Sequence, residues 1–270
     1  MYNDFYGFQE SPFNVTSDPD FFFPSEHHQE AFSHLIFGIQ QRKGILVISG
    51  EIGTGKTTLC RSLINRLDKN IKSALVLNPY FSETQLIRVI LDDLGIKGTF
   101  RNKLDLVHTL NNYLIDQASQ GNNVVVIIDE AQDLKPRQLE QIRLLSNLET
   151  QKSKLMQIIL VGQPELLDNL RLDSLRQLNQ RISVRYHILP LKENETKSYI
   201  EHRLRIACGQ PDDRLPVTFT EAAFKSIYHF SNGTPRLINI ICDRALLNGF
   251  ANTTRTIDDQ IICKCAREVT

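Results

Sequence analysis

Short apolar runs separated by helix-period segments occupy the first 190 residues, and a purely helical pattern follows. Ile45–Ile48, Ala74–Leu77, Val124–Ile128, Leu155–Val161 and Arg185–Leu189 are predicted strands. Val124–Ile128 is wholly apolar and β-branched, as a strand covered on both faces must be. Between them, Thr58–Leu67, a segment from Ser82 to Gly95, Lys103–Gln120 and Pro136–Leu148 have helical spacing. Ser82 and Gln85 stand at capping-box separation, and Pro136 suits a first helical position. Upstream, Ser25 is positioned to cap a helix to about Gln41, with Ala31, Leu35, Ile36 and Ile39 along one stripe. Past Leu189-Pro190-Leu191 the strand pattern stops, and helices are expected over 193–208, 220–230, 235–250 and 258–268. Strands alternating with helices imply a parallel α/β sheet with right-handed crossovers. Three regions are therefore expected: an N-terminal arm and helix over 1–44, an α/β domain over 45–190, and a helical lid over 191–270.

The arm is a special case. Eight of the 21 Phe and Tyr residues lie in the first 23 positions, interrupted by Pro12 and Pro19, which predicts an extended segment that buries its rings by docking. Phe21-Phe22-Phe23 is open to two readings, contact with a nucleobase or neighbouring subunit, or burial in the arm's own core. Composition is that of an ordinary globular protein, with 41% hydrophobic and 23% charged residues. Zero net charge removes any global electrostatic case for nucleic acid or membrane binding. The charges are unevenly spread, however. Residues 1–40 hold six acids and no Lys or Arg, whereas Asn169–Arg185 holds four arginines against one Asp. The five cysteines have neither zinc-ligand nor disulfide spacing, which points to reduced, buried thiols in a cytoplasmic protein. No apolar run approaches the ~20 residues of a membrane span, and the acidic, aromatic N-terminus is no signal peptide.

Chemistry enters at Gly50-Glu51-Ile52-Gly53-Thr54-Gly55-Lys56-Thr57, which sits between a predicted strand and a predicted helix that opens with Thr58. That is the context of a phosphate-binding loop: the glycines allow tight turns, backbone N–H groups converge on phosphate, and Lys56 supplies mobile positive charge. The Thr57 hydroxyl is placed to ligate Mg²⁺. Asp129 and Glu130 close the Val124–Ile128 strand, at the edge where ligands of open α/β sheets gather. Asp129 would hold Mg²⁺ directly or through water, and Glu130 would polarise a water for attack on the γ-phosphate. Gln163 follows the fourth strand and would orient that water if the strand lies between those of the phosphate loop and Asp129. Arg181 is expected on a helix leading to the last strand, from which it could reach a neighbouring subunit's nucleotide, with Arg176 and Arg185 as alternates. Arg236, in Gly233-Thr-Pro-Arg236, would face the nucleotide from the lid.

This ordered set resembles the AAA+ ATPases, with Gln163 matching sensor 1, Arg181 the arginine finger and Arg236 sensor 2. The N-terminal Tyr-x-x-Phe-Tyr-Gly-Phe and Ser-Pro-Phe-Asn-Val-Thr-x-Asp-Pro, together with Val161-Gly-Gln-Pro-Glu-Leu166, resemble the ExeA/GspA group of the general (type II) secretion pathway. Its relatives serve type IV pilus and exopolysaccharide systems. The resemblance implies a sheet of order 5-1-4-3-2, ATP and Mg²⁺ at the interfaces of a homo-oligomer, and secretion or pilus assembly partners at the cytoplasmic face of the inner membrane. Secretion members usually continue into a transmembrane helix and a periplasmic peptidoglycan-binding domain, so this chain is expected to be their ATPase part or a stand-alone relative. A second reading, a DNA-associated regulator resembling transposition ATPases such as MuB, shares the motif order. Residues 191–270 hold 11 Lys/Arg and 10 Asp/Glu, which offers no phosphate-tracking surface by composition. A scaffold with negligible turnover is a third, against which Glu130 argues.

Overall fold

A computed structural model describes residues 1–151, 153–209 and 215–268. Helices α1 (Tyr2–Tyr6) and α2 (Glu26–Gln40) precede strand β1 (Ile45–Gly50) and helix α3 (Lys56–Arg66). Then come β2 (Ile71–Val76), α4 (Glu83–Asp93), α5 (Lys103–Ser119) and β3 (Asn123–Ile128). Next are α6 (Pro136–Leu145), β4 (Gln157–Gly162), α7 (Pro164–Leu170), α8 (Arg176–Asn179) and β5 (Ile182–Ile188). The remainder holds α9 (Glu193–Cys208), β6 (Thr218–Phe219), α10 (Glu221–Ser231), α11 (Pro235–Ala251), β7 (Thr256–Ile257) and α12 (Asp259–Ala266). Two compact units result. One comprises His27–Ile52 and Leu59–Ile188; the other comprises Met1–Glu26, Gly53–Thr58 and Leu189–Thr270.

The first unit is built on a five-stranded sheet of order β2-β3-β4-β1-β5, with every pairing parallel, which is the expected order 5-1-4-3-2. The three inner strands are buried at every position, and this explains their unbroken apolar runs. The edge strands are less covered: β2 buries only Ala74 and Val76, and β5 alternates half-buried with exposed positions up to buried Ile188, so β5 carries Arg185, Tyr186 and His187 without penalty. Its core includes Ile45, Val47, Val126, Ile128, Ile158 and Leu160 from the sheet, packed against helices that contribute Leu86, Ile90, Leu110 and Ile142. The capping box forms as spaced, the Ser82 hydroxyl accepting from the Gln85 N–H at 3.3 Å and Gln85 Oε1 from the Ser82 N–H at 2.8 Å.

The second unit has a separate core, in which Tyr6, Phe8, Phe13 and Phe21 of the arm join Leu204, Ile227, Ile241 and Leu246 of the C-terminal helices. Each fully buried side chain of this size contributes about 1.5–3 kcal/mol, so the arm is part of the core and not an appendage. Polar anchors fix its path. The Tyr6 hydroxyl donates toward the carbonyls of Leu246 and Thr254, each at 3.2 Å. Arg203, 5% exposed, donates from Nε to Pro12 O at 2.6 Å, from Nη2 to Asn14 O at 3.1 Å and from Nη1 to the Tyr199 hydroxyl at 3.0 Å. Its guanidinium carbon also lies 4.7 Å from the Phe21 ring centre.

Two local expectations are corrected. The arm is not extended from its start, since Tyr2–Tyr6 is one turn of helix closed by Gly7 at φ 81°. The strand pattern also does not end at Leu191: Thr218–Phe219 and Thr256–Ile257 form a two-residue parallel pair, too short to leave a periodic signal. Among the described residues no helix is long and apolar enough to cross a membrane.

Candidate nucleotide-binding and hydrolytic site

β1 runs through the sheet interior between β4 and β5 and delivers Gly50 and the loop after it. Glu51 and Ile52 are exposed, Thr54 and Lys56 are buried, and Thr57 and Thr58 are half-buried in the first turn of α3. Gly53 and Gly55 sit at φ 81° and 91°, a region that side chains strongly disfavour, so the glycine spacing is a backbone requirement. The loop ends at the N-terminus of an 11-residue helix, whose first N–H groups have no intrahelical acceptor. These features suit a bound phosphate.

The Gly-x-Pro-Arg segment also depends on left-handed backbone. Asn232 ends α10 in the left-handed region at φ 47°, and Gly233 follows at φ 71°. A Cβ on Gly233 would overlap the Leu191 carbonyl, while the Leu191 N–H donates to Gly233 O at 2.9 Å. Thr234 and Pro235 then start α11. The Arg236 N–H donates to Gly53 O at 3.2 Å, and a Cβ on Gly53 would lie 2.6 Å from Arg236 Cβ. Arg236 therefore meets the phosphate loop through its backbone and leaves its side chain exposed.

β4 lies between β1 and β3, the condition set for Gln163. Because the strands are parallel, Gly50, Gln163 and the Asp129-Glu130 pair all emerge at the carboxyl edge of the sheet. Asp129 is 2% exposed, and its N–H extends the β2–β3 ladder by donating to Val76 O at 2.8 Å. One of its carboxylate oxygens accepts from the Glu130 N–H at 3.0 Å. Glu130 itself is left-handed, at φ 51° and ψ 38°, and heads a one-turn helix over Ala131–Asp133. For a residue with a Cβ this conformation costs of order 1–3 kcal/mol. It turns the chain back, so that Gln132 Nε2 donates to Glu130 Oε2 at 2.7 Å. Gln132 Oε1 accepts the Gln163 N–H at 3.0 Å. Sequence reasoning missed Gln132; the only trace of it is an amide two residues beyond an acid in a turn.

One of the three arginines is placed differently from expectation. Arg181 lies in the turn between α8 and β5, not on a helix, because α8 ends at Asn179 once Leu175 and Leu178 are buried. It is exposed, and its charge adds to that of Lys154 in holding the Glu149 carboxyl below its usual range, with Lys154 the larger cause. Arg176 is exposed on α8. Arg185 projects from β5 and donates to Asn179 O at 2.9 Å.

The sequence family described as AAA domain matches residues 39–170. General secretion pathway protein A of Aeromonas hydrophila is 42% identical over 271 residues, an alignment that takes in 100% of this chain and 48% of that protein. The chain thus spans about half the length of this curated relative. Among solved structures, Cdc6p of Pyrobaculum aerophilum aligns with a TM-score of 0.69 at 16% identity, over 99% of this chain and 71% of that one. The ORC2 protein of Aeropyrum pernix in its ADP form aligns with a TM-score of 0.68 at 18% identity, over 97% and 73%. The RuvB Holliday junction branch migration motor of Thermotoga maritima aligns with a TM-score of 0.58 at 18% identity, over 90% and 68%. At these identities the likeness concerns the fold alone, and that fold is the P-loop AAA+ fold.

Proposed function

We propose, from the premise that the chain is an ExeA/GspA-like AAA+ protein, that it binds and hydrolyses ATP as the ATPase part of a general secretion pathway protein A-like assembly factor. The observation that supports hydrolysis most directly is the placement of Glu130 beside Asp129 at the carboxyl edge of β3, with its carboxylate already oriented by a hydrogen bond. Lys56 and the loop N–H groups from Gly50 to Thr58 bind the phosphates, and Arg236 adds positive charge from α11. Thr57 and Asp129 would hold Mg²⁺, which when bound neutralises charge on the β- and γ-oxygens. Glu130 accepts a proton from the attacking water, and Gln163 orients that water. The 42% identity to General secretion pathway protein A supports partners of the secretion-assembly class at the inner membrane. A DNA-associated role gains nothing from the ORC2, Cdc6p and RuvB neighbours, which at 16–18% identity share only the fold.

Glu130→Gln tests the hydrolytic half. The variant is expected to bind ATP as the wild type does while turnover falls by about 100-fold or more, the usual worth of a positioned general base. Near-normal phosphate release would remove Glu130 from the role. The same variant, used as a trap, should co-purify with membrane-fraction assembly proteins; enrichment on DNA would instead favour the regulator reading.

Arg181 is proposed as the arginine that completes a neighbouring subunit's site. It is exposed, whereas the Arg185 guanidinium is engaged by Asn179. Specific ATPase activity should then rise with protein concentration, and Arg181→Ala should flatten that rise with a loss of about 10³-fold at saturation. A wild-type rate independent of concentration would argue for a complete site within one chain.

A further inference from the structure

We propose that Gln132 is a positioning residue of the hydrolytic site, its side-chain amide holding the Glu130 carboxylate at a set distance from the start of the Gln163 turn. The inference rests on the hydrolytic reading above and names a residue that reading does not use.

The amide is held from both ends. Nε2 donates to Glu130 Oε2 at 2.7 Å, and Oε1 accepts the Gln163 N–H at 3.0 Å. These partners leave one orientation, because an ionised carboxylate only accepts and a backbone N–H only donates. Flipping the amide would set oxygen against oxygen at one end and donor against donor at the other. The residue's backbone is tethered as well: Asn169 of α7 donates from Nδ2 to Gln132 O at 3.2 Å, and the Asp133 N–H closes the turn on Glu130 O at 3.0 Å. Space for the bridge comes from Gly162, where a Cβ would lie 2.8 Å from Gln132 Oε1 and 3.2 Å from Gln132 N. The left-handed conformation of Glu130 is what brings two side chains so close in sequence within one hydrogen bond.

The chemistry benefits from such a brace. A carboxylate that must meet a water in line with a phosphate loses rate steeply when misplaced, by as much as about 100-fold for 1 Å. Engaging Oε2 removes the carboxylate's rotational freedom and leaves Oε1 to accept from water. Because the same amide holds the backbone of Gln163, the two groups proposed to handle that water are set relative to each other by one side chain.

Three variants test this in the full chain. Gln132→Met preserves volume and removes both hydrogen bonds, and Gln132→Asn keeps the amide but is one methylene too short. Both are expected to lower kcat about 10- to 100-fold, with KM and the Kd for ATP within about twofold of wild type. If Gln132 acts through Glu130, adding Gln132→Met to Glu130→Ala should cost nothing further, a non-additivity that general destabilisation does not produce. The Gln163 amide proton, followed by hydrogen exchange, should also exchange about 10-fold faster in Gln132→Met at unchanged melting temperature. Near-wild-type kcat in Gln132→Met, an equal loss in the Glu130→Ala background, or unchanged exchange at Gln163 would each overturn the assignment and leave the hydrolytic reading intact. A wild-type chain that binds ATP without turnover would instead overturn the hydrolytic reading, and this one with it.

Discussion

Lys56→Ala is expected to weaken ATP binding by at least about 100-fold, enough to abolish it at micromolar nucleotide. Lys56 is the first residue of α3, follows two glycines in the left-handed region and is 7% exposed, so its ammonium stem is held within the loop. Charge-assisted hydrogen bonds to phosphate are worth about 1.5–3 kcal/mol each, and contact with both the β- and γ-phosphates makes the combined loss about 3–6 kcal/mol. Backbone N–H groups remain in the variant but cannot replace a mobile cation. Isothermal titration with ATP and Mg²⁺ measures the effect, and a thermal melt establishes that the variant is folded. Retained affinity in a folded variant would refute the phosphate-loop assignment.

Arg203→Ala is expected to be the most damaging single truncation in the second unit, with a loss of about 2–4 kcal/mol. The charge is met by carbonyl dipoles and aromatic faces: Pro12 and Asn14 accept two of its bonds, Tyr199 a third, and the Phe21 ring covers it at 4.7 Å. Truncation leaves the Pro12 carbonyl buried without its donor and opens space beneath Phe21. Lysine should not restore stability, since a single ammonium cannot reach two arm carbonyls and stack on a ring at once. Urea unfolding gives the magnitude, and limited proteolysis should show the arm cut first. A loss below about 0.5 kcal/mol would mean that the arm is held by its aromatic burial alone.

The hydrophobic pattern carried most of the architecture because the inner strands are covered on both faces and so leave unbroken apolar runs. Helix α9 was legible as the segment after the Pro190 break, expected over 193–208 and observed at Glu193–Cys208. The edge strand β5 was harder, since alternating half-exposure lets Arg185 and His187 dilute the signal. Five-residue α1 and the two-residue strands β6 and β7 are shorter than any period that could reveal them. At the site, the residue types required by phosphate chemistry were readable in order, because a loop, an acidic pair and a Gly-x-Pro-Arg turn are local. What was not readable depends on dihedral angles or on packing between distant segments. Glu130 gives no hint of its left-handed backbone, and Gln132 acquires its role only because β4 brings Gln163 beside it.

The path of the arm has a consequence for how the chain is made. Pro12 is separated by 191 residues from Arg203, and Tyr6 by 240 from Leu246, so the aromatic rings of the arm find their partners in a segment synthesised much later. At roughly 5–20 residues per second, Pro12 waits on the order of 10–40 s for Arg203 to be added. During that interval the sheet unit can assemble while Tyr6, Phe8, Phe13 and Phe21 remain in water, offering an adhesive surface to any neighbour. Docking the arm is thus a late, long-range closure whose rate is set by the search for a distant partner, and a nascent chain stalled before α9 would display all eight early rings at once.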